Sequence, residues 1–130
     1  MVTKDWKVLL VDDEAELVAT LAERLELRGI SSRVALDGES AIRAVSEEEP
    51  NVMVLDLLMP GMKGIEVLKR VRASHPRVQV ILVTGQGKGQ EGQEGVKLGA
   101  ACFMVKPVVL DDLIQAMAAA IDTTQEQGAA

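Results

Sequence analysis

The stretch VMVLD, residues 52–56, is the clearest indication of the fold in this chain. Its four consecutive apolar residues suit a strand that is buried on both faces of a parallel sheet. The strand ends in the carboxylate of Asp56. Because open α/β sheets bind ligands beyond the carboxyl ends of their strands, Asp56 is the first candidate for a functional residue.

Strand-like and helix-like patterns alternate along the rest of the chain. Other short apolar runs occupy residues 7–11, 80–83 and 101–105, and a weaker one occupies residues 32–36. Apolar residues recur with a helical period between the runs; they are Leu17, Leu21 and Leu25 before Gly29, then Ile65, Leu68 and Val71 before His75-Pro76, and finally Leu110, Leu113, Ile114, Met117 and Ile121. Asp37 is a candidate N-cap for a helix over residues 38–48. This order predicts a doubly wound α/β fold, a five-stranded parallel sheet with helices on both faces.

Size and composition fit one soluble domain. The chain has 130 residues, 48% of them hydrophobic and 26% charged, and its net charge is −6. No apolar run approaches the roughly 20 residues that span a bilayer. The pattern of residues 1–14 is not that of a signal peptide, so we expect none, and Lys and Arg form no cluster typical of nucleic-acid binding. A lone Cys102 fits a cytoplasmic setting. We expect a domain over residues 1–123 and a flexible tail, or the start of a linker, over residues 124–130.

Four of the five predicted strands end in polar or charged side chains. Asp12 and Asp13 follow the first strand, Asp56 ends the third, Thr84 ends the fourth and Lys106 follows the fifth. Each alone has an ordinary explanation as a helix cap or a turn residue, but all of them belong to one edge of the sheet. Two carboxylates about 4 Å apart repel by about 4 kcal/mol at an effective dielectric constant of about 20, so a proton, a cation or a lysine must lie between them. Mg²⁺ fits such oxygen ligands where a phosphoryl group also binds.

Four motifs of the chain resemble those of the receiver domains of two-component response regulators. The motifs are VLLVDDE with Asp12 and Asp13, VMVLDLLMPGMKG with Asp56, Pro60, Gly61 and Gly64, VILVTG with Thr84, and FMVKP with Phe103, Lys106 and Pro107. The resemblance spans about residues 6–122, and the motifs together are far more specific than any one alone. It implies a flavodoxin-like sheet with the strand order 2-1-3-4-5.

The resemblance also implies a phosphoacceptor site. Asp56 would accept a phosphoryl group from a sensor histidine kinase or a histidine phosphotransfer protein. Mg²⁺ would be bound by the side chains of Asp13 and Asp56, by the backbone carbonyl of Leu58 and, through water, by Asp12.

A conformational switch is the second implication of the resemblance. Lys106 and Thr84 would hold the phosphoryl oxygens, Thr84 would move toward them on phosphorylation, and Phe103 would swing inward behind it. The Lys106–Pro107 peptide bond would be cis. The chain would be a phosphoacceptor that catalyses its own modification, rather than a turnover enzyme. It would signal to a downstream effector protein or output domain without contacting nucleic acid or membrane. The formation of a homodimer on phosphorylation is a further possibility that the resemblance leaves undecided.

Two single positions depart from the family pattern. Lys63 stands where an acid or Asn is common, and Phe103 stands in place of a Tyr. The first departure is expected to alter surface charge only, and the second removes a phenolic hydroxyl.

The stretch TGQGKGQEGQEG, residues 84–95, is far richer in glycine than the family pattern. Gly87, Gly89 and Gly92 match G-x-G-x-x-G, but a dinucleotide fingerprint belongs to the first strand–helix turn of its unit. Since glycine disfavours a helix, we expect a short or frayed fourth helix over about residues 91–98. A mobile loop would precede it, and phosphorylation would order both.

Two other interpretations compete with a receiver. A Mg²⁺-dependent aspartyl phosphohydrolase also uses a strand-terminal Asp nucleophile, but it would carry Asp-x-Asp after its first strand and a cap domain. The adjacent pair Asp12-Asp13 and the short chain argue against it. A pseudo-receiver that only binds proteins is the third interpretation, and the retention of all five site residues argues against it.

Overall fold

The computed structural model describes residues 5–59, 61–85 and 89–129, with side chains as far as residue 122. Strand and helix alternate five times within those residues; the elements are β1 (Val8–Val11), α1 (Ala15–Leu27), β2 (Ser32–Ala35), α2 (Gly38–Glu47), β3 (Val52–Asp56), α3 (Gly64–Ser74), β4 (Gln79–Thr84), α4 (Gly89–Lys97), β5 (Cys102–Val105) and α5 (Leu110–Ala129). The strands form one parallel sheet in the order β2-β1-β3-β4-β5. The predicted fold and strand order are confirmed.

The central strands are apolar on both faces because helices cover both sides of the sheet. Every residue of β1 and β3 is buried. Leu9 and Leu10 are neighbours in β1 but belong to different core clusters, since successive side chains of a strand point to opposite faces. The cluster that includes Leu9 is closed by α2 and α3, and the one that includes Leu10 is closed by α1 and α5. Among the described residues, no helix has both the length and the apolar character needed to cross a bilayer.

Local backbone interactions fix the boundaries of α1 and α2. Asp37 caps α2, as predicted: its Oδ1 accepts a 2.7 Å hydrogen bond from the backbone N–H three residues later. Gly29 ends α1 with a φ of 81°, a conformation that glycine adopts without strain. The N–H groups of Gly29 and Ile30 donate to the carbonyls of Glu26 and Leu25, the pattern of a Schellman motif.

Two helices differ from their predicted lengths. α4 begins at Gly89 rather than near residue 91, and side chains from the sheet fill the space at Gly92 and Gly95, where the helix has no side chain of its own. α5 continues to Ala129 through most of the segment predicted to be a flexible tail. That segment is free of proline and contains Gln, Glu and Ala, which are compatible with a helix. Residues 86–88 of the predicted mobile loop lie outside the described residues.

The buried stripe of α1 also differs from the prediction. Leu17 was expected to face the core but is 50% exposed, while the adjacent Val18 is buried. Val18, Leu21 and Leu25 therefore form the inward stripe, at spacings of three and four residues.

Gly64 lets α3 begin directly against the end of β3. A Cβ atom at this position would lie 2.7 Å from the backbone oxygen of Asp56 and 2.7 Å from the Cα of Leu57. The Gly64 N–H also donates a 3.4 Å hydrogen bond to the Leu57 carbonyl. Because backbone atoms cannot turn aside as a side chain can, the absent side chain of Gly64 sets the distance between α3 and Asp56.

We predict that Gly64→Ala lowers the free energy of unfolding by about 1–3 kcal/mol, the range typical of overpacking. Urea unfolding followed by circular dichroism measures the change. Gly89→Ala is the control, since a Cβ atom there would meet nothing within 4 Å. Equal stability of Gly64→Ala and the wild type would contradict the close approach.

Candidate functional site

The register of the sheet brings the ends of four strands to one edge. The residues paired there are Val11 with Leu55, Asp56 with Val83, and Thr84 with Val105. Asp12 follows β1 and Lys106 follows β5, so both lie at the same edge as Asp56 and Thr84. The convergence that the sequence predicts is therefore present in the structure.

Lys106 is the cation among the acids of this edge. Its Nζ lies 3.2 Å from Asp56 Oδ2, 3.4 Å from Asp12 Oδ2 and 3.6 Å from Glu14 Oε1. Burial alone would lower the pKa of Lys106, but the hydrogen bond to Asp56 and the charges of Asp56, Asp12 and Glu14 outweigh it and raise the pKa. Lys106 is therefore positively charged at neutral pH.

Asp56 is the buried carboxylate of the edge, with a side chain that is 5% exposed. Its Oδ1 accepts a 3.0 Å hydrogen bond from the backbone N–H of Leu58, and its Oδ2 accepts one from Lys106. Burial, the largest cause, and the charge of Asp12 raise the pKa of Asp56, while the Leu58 N–H and Lys106 lower it, and the balance is a raised pKa. Asp56 is thus held firmly in position, but its ionised form is costly to the folded state.

Three carboxylates are close enough to bind one metal ion. One oxygen atom each from Asp12, Asp13 and Asp56 lie within 4.8 Å of one another. Asp13 is exposed, Asp12 is half-buried and Asp56 is buried, so the group extends from solvent into the interior. Such an all-oxygen set suits a hard divalent cation.

Thr84 ends β4 beside this acidic group. Its side chain is fully buried, and its Oγ1 has no hydrogen-bond partner among the described residues. An unpaired buried hydroxyl costs about 1–3 kcal/mol. The Thr84 carbonyl accepts a 2.8 Å hydrogen bond from the Lys106 N–H, which ties the end of β4 to the end of β5. A ligand that brought an acceptor oxygen to this edge could accept a hydrogen bond from this hydroxyl.

A known family matches almost the whole of this arrangement. The family described as response regulator receiver domain matches residues 8–118. The chain belongs to that family. The match covers all the strand-end residues described above and favours the receiver over the phosphohydrolase alternative.

Two relatives and one solved structure show how far the likeness of this receiver extends. It is 34% identical over 108 residues to the transcriptional regulatory protein PrrA of Mycobacterium tuberculosis. The aligned residues make up 83% of the receiver and 46% of PrrA. The receiver is also 34% identical over 111 residues to the sporulation initiation phosphotransferase F of Bacillus subtilis, 85% of the receiver and 90% of that protein. A receiver domain crystal structure from Clostridium thermocellum matches with a TM-score of 0.89 at 27% identity, covering 94% and 98% of the two chains. The receiver thus spans about half the length of PrrA.

The remaining predicted residues lie around the same edge. Leu58 is 50% exposed, and its backbone adjoins Asp56 through the hydrogen bond given above. The Lys106–Pro107 peptide bond is cis. Phe103 is partly buried and packs against the core cluster on the side of α2 and α3. Lys63 precedes α3 as an exposed residue whose side chain makes no capping hydrogen bond.

His75, Trp6 and Cys102 lie away from the site. His75 ends α3, and eleven helical residues separate it from the site end of that helix, or about 16 Å. Its Nδ1 lies 2.8 Å from Glu49 Oε2. Trp6 and Cys102 pack against the core cluster closed by α1 and α5, and burial raises the pKa of the Cys102 thiol. A raised thiol pKa reduces the thiolate form on which cysteine reactivity depends.

Glu14 is a site contact that the sequence interpretation missed. It precedes α1 as the N-cap residue, and its carboxylate reaches Lys106 although 61% of its side chain is exposed. The available signal was the third acid of VDDE. An acid at the start of a helix is ordinarily explained by the helix dipole, which hides any second role.

We predict that Asp56→Asn raises the melting temperature of the metal-free protein at pH 7 by a few degrees. The pKa of Asp56 is raised in the folded state, so its ionisation opposes folding above the folded pKa, and this cost disappears below the unfolded pKa, near 3.8. The gain over the wild type should therefore shrink as the pH falls from 7 toward 4. Calorimetry in EDTA measures it, with Asp37→Asn as the control, because Asp37 is an exposed acid outside the acidic group whose capping role asparagine also fills. A lower melting temperature for Asp56→Asn at pH 7 would contradict the prediction.

Proposed function

We propose that Asp56 is the phosphoacceptor of this receiver and that its phosphorylation switches the conformation of the domain. The observation that carries the proposal is the buried Asp56 carboxylate, which Lys106 and the Leu58 N–H fix at the carboxyl edge of the sheet. A carboxylate beside a lysine and further acids suits the formation of an acyl phosphate.

In the proposed reaction an oxygen of Asp56 attacks the phosphorus of the donor. The new P–O bond forms as the bond between phosphorus and the donor breaks, and the donor keeps the electron pair. Phosphoryl transfer depends mainly on positioning and on neutralising negative charge. Lys106 would contribute its charge, and the buried hydroxyl of Thr84 would donate a hydrogen bond to a phosphoryl oxygen.

The donor atoms of the acidic group fit Mg²⁺. The side chains of Asp13 and Asp56 and the backbone carbonyl of Leu58 would bind it directly, and Asp12 would bind it through water. Bound Mg²⁺ supplies positive charge that offsets the repulsion between the acids and the incoming phosphoryl group.

The partners follow from the chemistry of a phosphoacceptor. A sensor histidine kinase or a histidine phosphotransfer protein would supply the phosphoryl group in the cytoplasm, and an effector protein or output domain would receive the signal. PrrA is named as a transcriptional regulatory protein and its relative in Bacillus subtilis as a phosphotransferase. An attached output domain and a separate relay protein therefore both have a precedent. Because α5 reaches Ala129, a linker to an output domain would begin after that helix.

We predict that acetyl phosphate with Mg²⁺ adds one phosphoryl group per chain, that Asp56→Asn abolishes the addition, and that EDTA suppresses it. Intact-mass spectrometry measures the uptake. Asp37→Asn is a matched control, because Asp37 is an exposed acid just after β2 whose capping role asparagine also fills. Equal uptake by Asp56→Asn and the wild type would disprove the assignment. Sustained release of phosphate from small phosphoesters would instead favour the phosphohydrolase.

Leu58 is expected to prolong the lifetime of the phosphoryl group. Its half-exposed side chain follows Asp56 by two residues and offers no hydrogen bond to orient an attacking water. We predict that Leu58→Asn speeds loss of the phosphoryl group severalfold, measured as the decay of the phosphorylated mass after the donor is removed. Leu27→Asn, at a leucine that is 74% exposed on α1, is the control. An unchanged decay rate in Leu58→Asn would count against this role.

A further inference from the structure

The fourth helix is held to the sheet through glycines. α4 contains two buried residues among those described, Gly92 and Gly95. Its apolar Val96 is 40% exposed, so it does not serve as an anchor. A helix without inward apolar side chains must be anchored by side chains of the elements beneath it.

Phe103 and Leu82 provide these anchors from the sheet. A Cβ atom on Gly92 would overlap the aromatic ring of Phe103, and one on Gly95 would overlap the end of Leu82. Phe103 and Leu82 are paired neighbours on β5 and β4. The two glycines, three residues apart, therefore form adjacent recesses in one helix face, and each recess receives a side chain from the sheet. We name the recess at Gly92 the Phe103 seat.

This packing explains Gly92 and Gly95 without a nucleotide. Gly92 is the third glycine of the G-x-G-x-x-G match, and the aromatic ring of Phe103 occupies the space where its side chain would lie. A Cβ atom on Gly89, the second glycine, would meet nothing within 4 Å. The glycine that the fold needs at this end of α4 is the one beneath which Phe103 lies.

The Phe103 seat is connected to the phosphoacceptor site through β5. Phe103 lies three residues before Lys106, whose side chain pairs with Asp56 and whose N–H bonds to the Thr84 carbonyl. A displacement of Lys106 or Thr84 therefore acts on the short strand that carries Phe103.

We propose that Gly92 is a positioning residue for Phe103: its missing side chain holds the ring beneath α4 and so sets the position from which Phe103 moves when Asp56 is phosphorylated. The proposal rests on the proposed phosphoacceptor function. Because the ring is an anchor of α4, its movement loosens the contact between α4 and the sheet. The glycine thus sets the resting position of the switch residue.

The single phenylalanine of the chain makes the test specific. Incorporation of 4-fluorophenylalanine gives one ¹⁹F resonance, which reports on Phe103. In the wild type, Mg²⁺ with beryllofluoride should shift this resonance. Gly92→Ala should shift it without beryllofluoride and should lose most of the further shift on its addition. Gly89→Ala, on the same helix, should behave as the wild type. An identical resonance in Gly92→Ala and the wild type, with and without beryllofluoride, overturns the proposal.

A double-variant cycle tests the seat independently of phosphorylation. Gly92→Ala should lower the melting temperature when Phe103 is present. In a Phe103→Ala background it should raise the melting temperature, because the overlap with the ring is gone and alanine is the better helix former. The remaining contact, 3.0 Å to the Cβ atom of residue 103, needs a shift of only a few tenths of an ångström in the partly exposed edge strand β5. If Gly92→Ala fails to fold and the double variant folds, the overlap is supported in its strongest form. The same sign in both backgrounds overturns the seat, as does a double variant that fails to fold.

The two experiments separate this inference from the function on which it rests. If the wild type neither takes up phosphate at Asp56 nor responds to beryllofluoride, the phosphoacceptor function is wrong, whereas the reversal of sign in the cycle would still establish the seat. If the wild type responds but Gly92→Ala leaves the ¹⁹F resonance unchanged, the function stands and the positioning role of Gly92 is wrong.

Discussion

The contact between the ammonium of Lys106 and the buried carboxylate of Asp56, 3.2 Å apart, is the interaction on which the site depends. Without a cation, Asp12, Asp13 and Asp56 would stand within 4.8 Å of one another as three like charges. Lys106 offsets part of that repulsion, but it is shared between several acids and does not remove the cost of burying Asp56, whose pKa remains raised. The edge therefore keeps an unfavourable concentration of negative charge. Such a concentration destabilises the fold but creates affinity for a divalent cation.

Two of the glycines serve close approach rather than flexibility. Gly64 brings α3 against the backbone of Asp56, and Gly92 accommodates the ring of Phe103. Interior glycine costs about 1 kcal/mol of helix stability relative to alanine, so a glycine at position 92 of α4 is unfavourable for the isolated helix. Packing against the sheet offsets this local cost. α4 consequently depends on its tertiary contacts more than helices such as α5, which presents Leu113 and Met117 to the core.

Much of the fold and the site was accessible from sequence because the relevant patterns are local. Continuous apolar runs predicted the buried strands within a residue or two, and the polar residues that end those strands predicted which side chains would meet at the carboxyl edge. What failed was tertiary in origin. Gly92 and Gly95 of α4 pack on Phe103 and Leu82, which come from β5 and β4, and the contact between Glu14 and Lys106 joins residues far apart in the chain. Neither contact can be predicted from the local sequence pattern of α4 or of α1.

The position of β5 at the edge of the sheet explains how the acids of the site can be held rigidly while Lys106 and Phe103 remain able to move. β1 and β3 are buried along their whole length, which fixes Asp12 and Asp56 at the end of a packed core. β5 is an edge strand of four residues with one neighbour, and each of its residues is at least partly exposed. Phe103 lies on this strand and Lys106 directly follows it. A displacement at Lys106 can therefore reach Phe103 and α4 by moving an edge strand, without breaking the packing that holds the acids together.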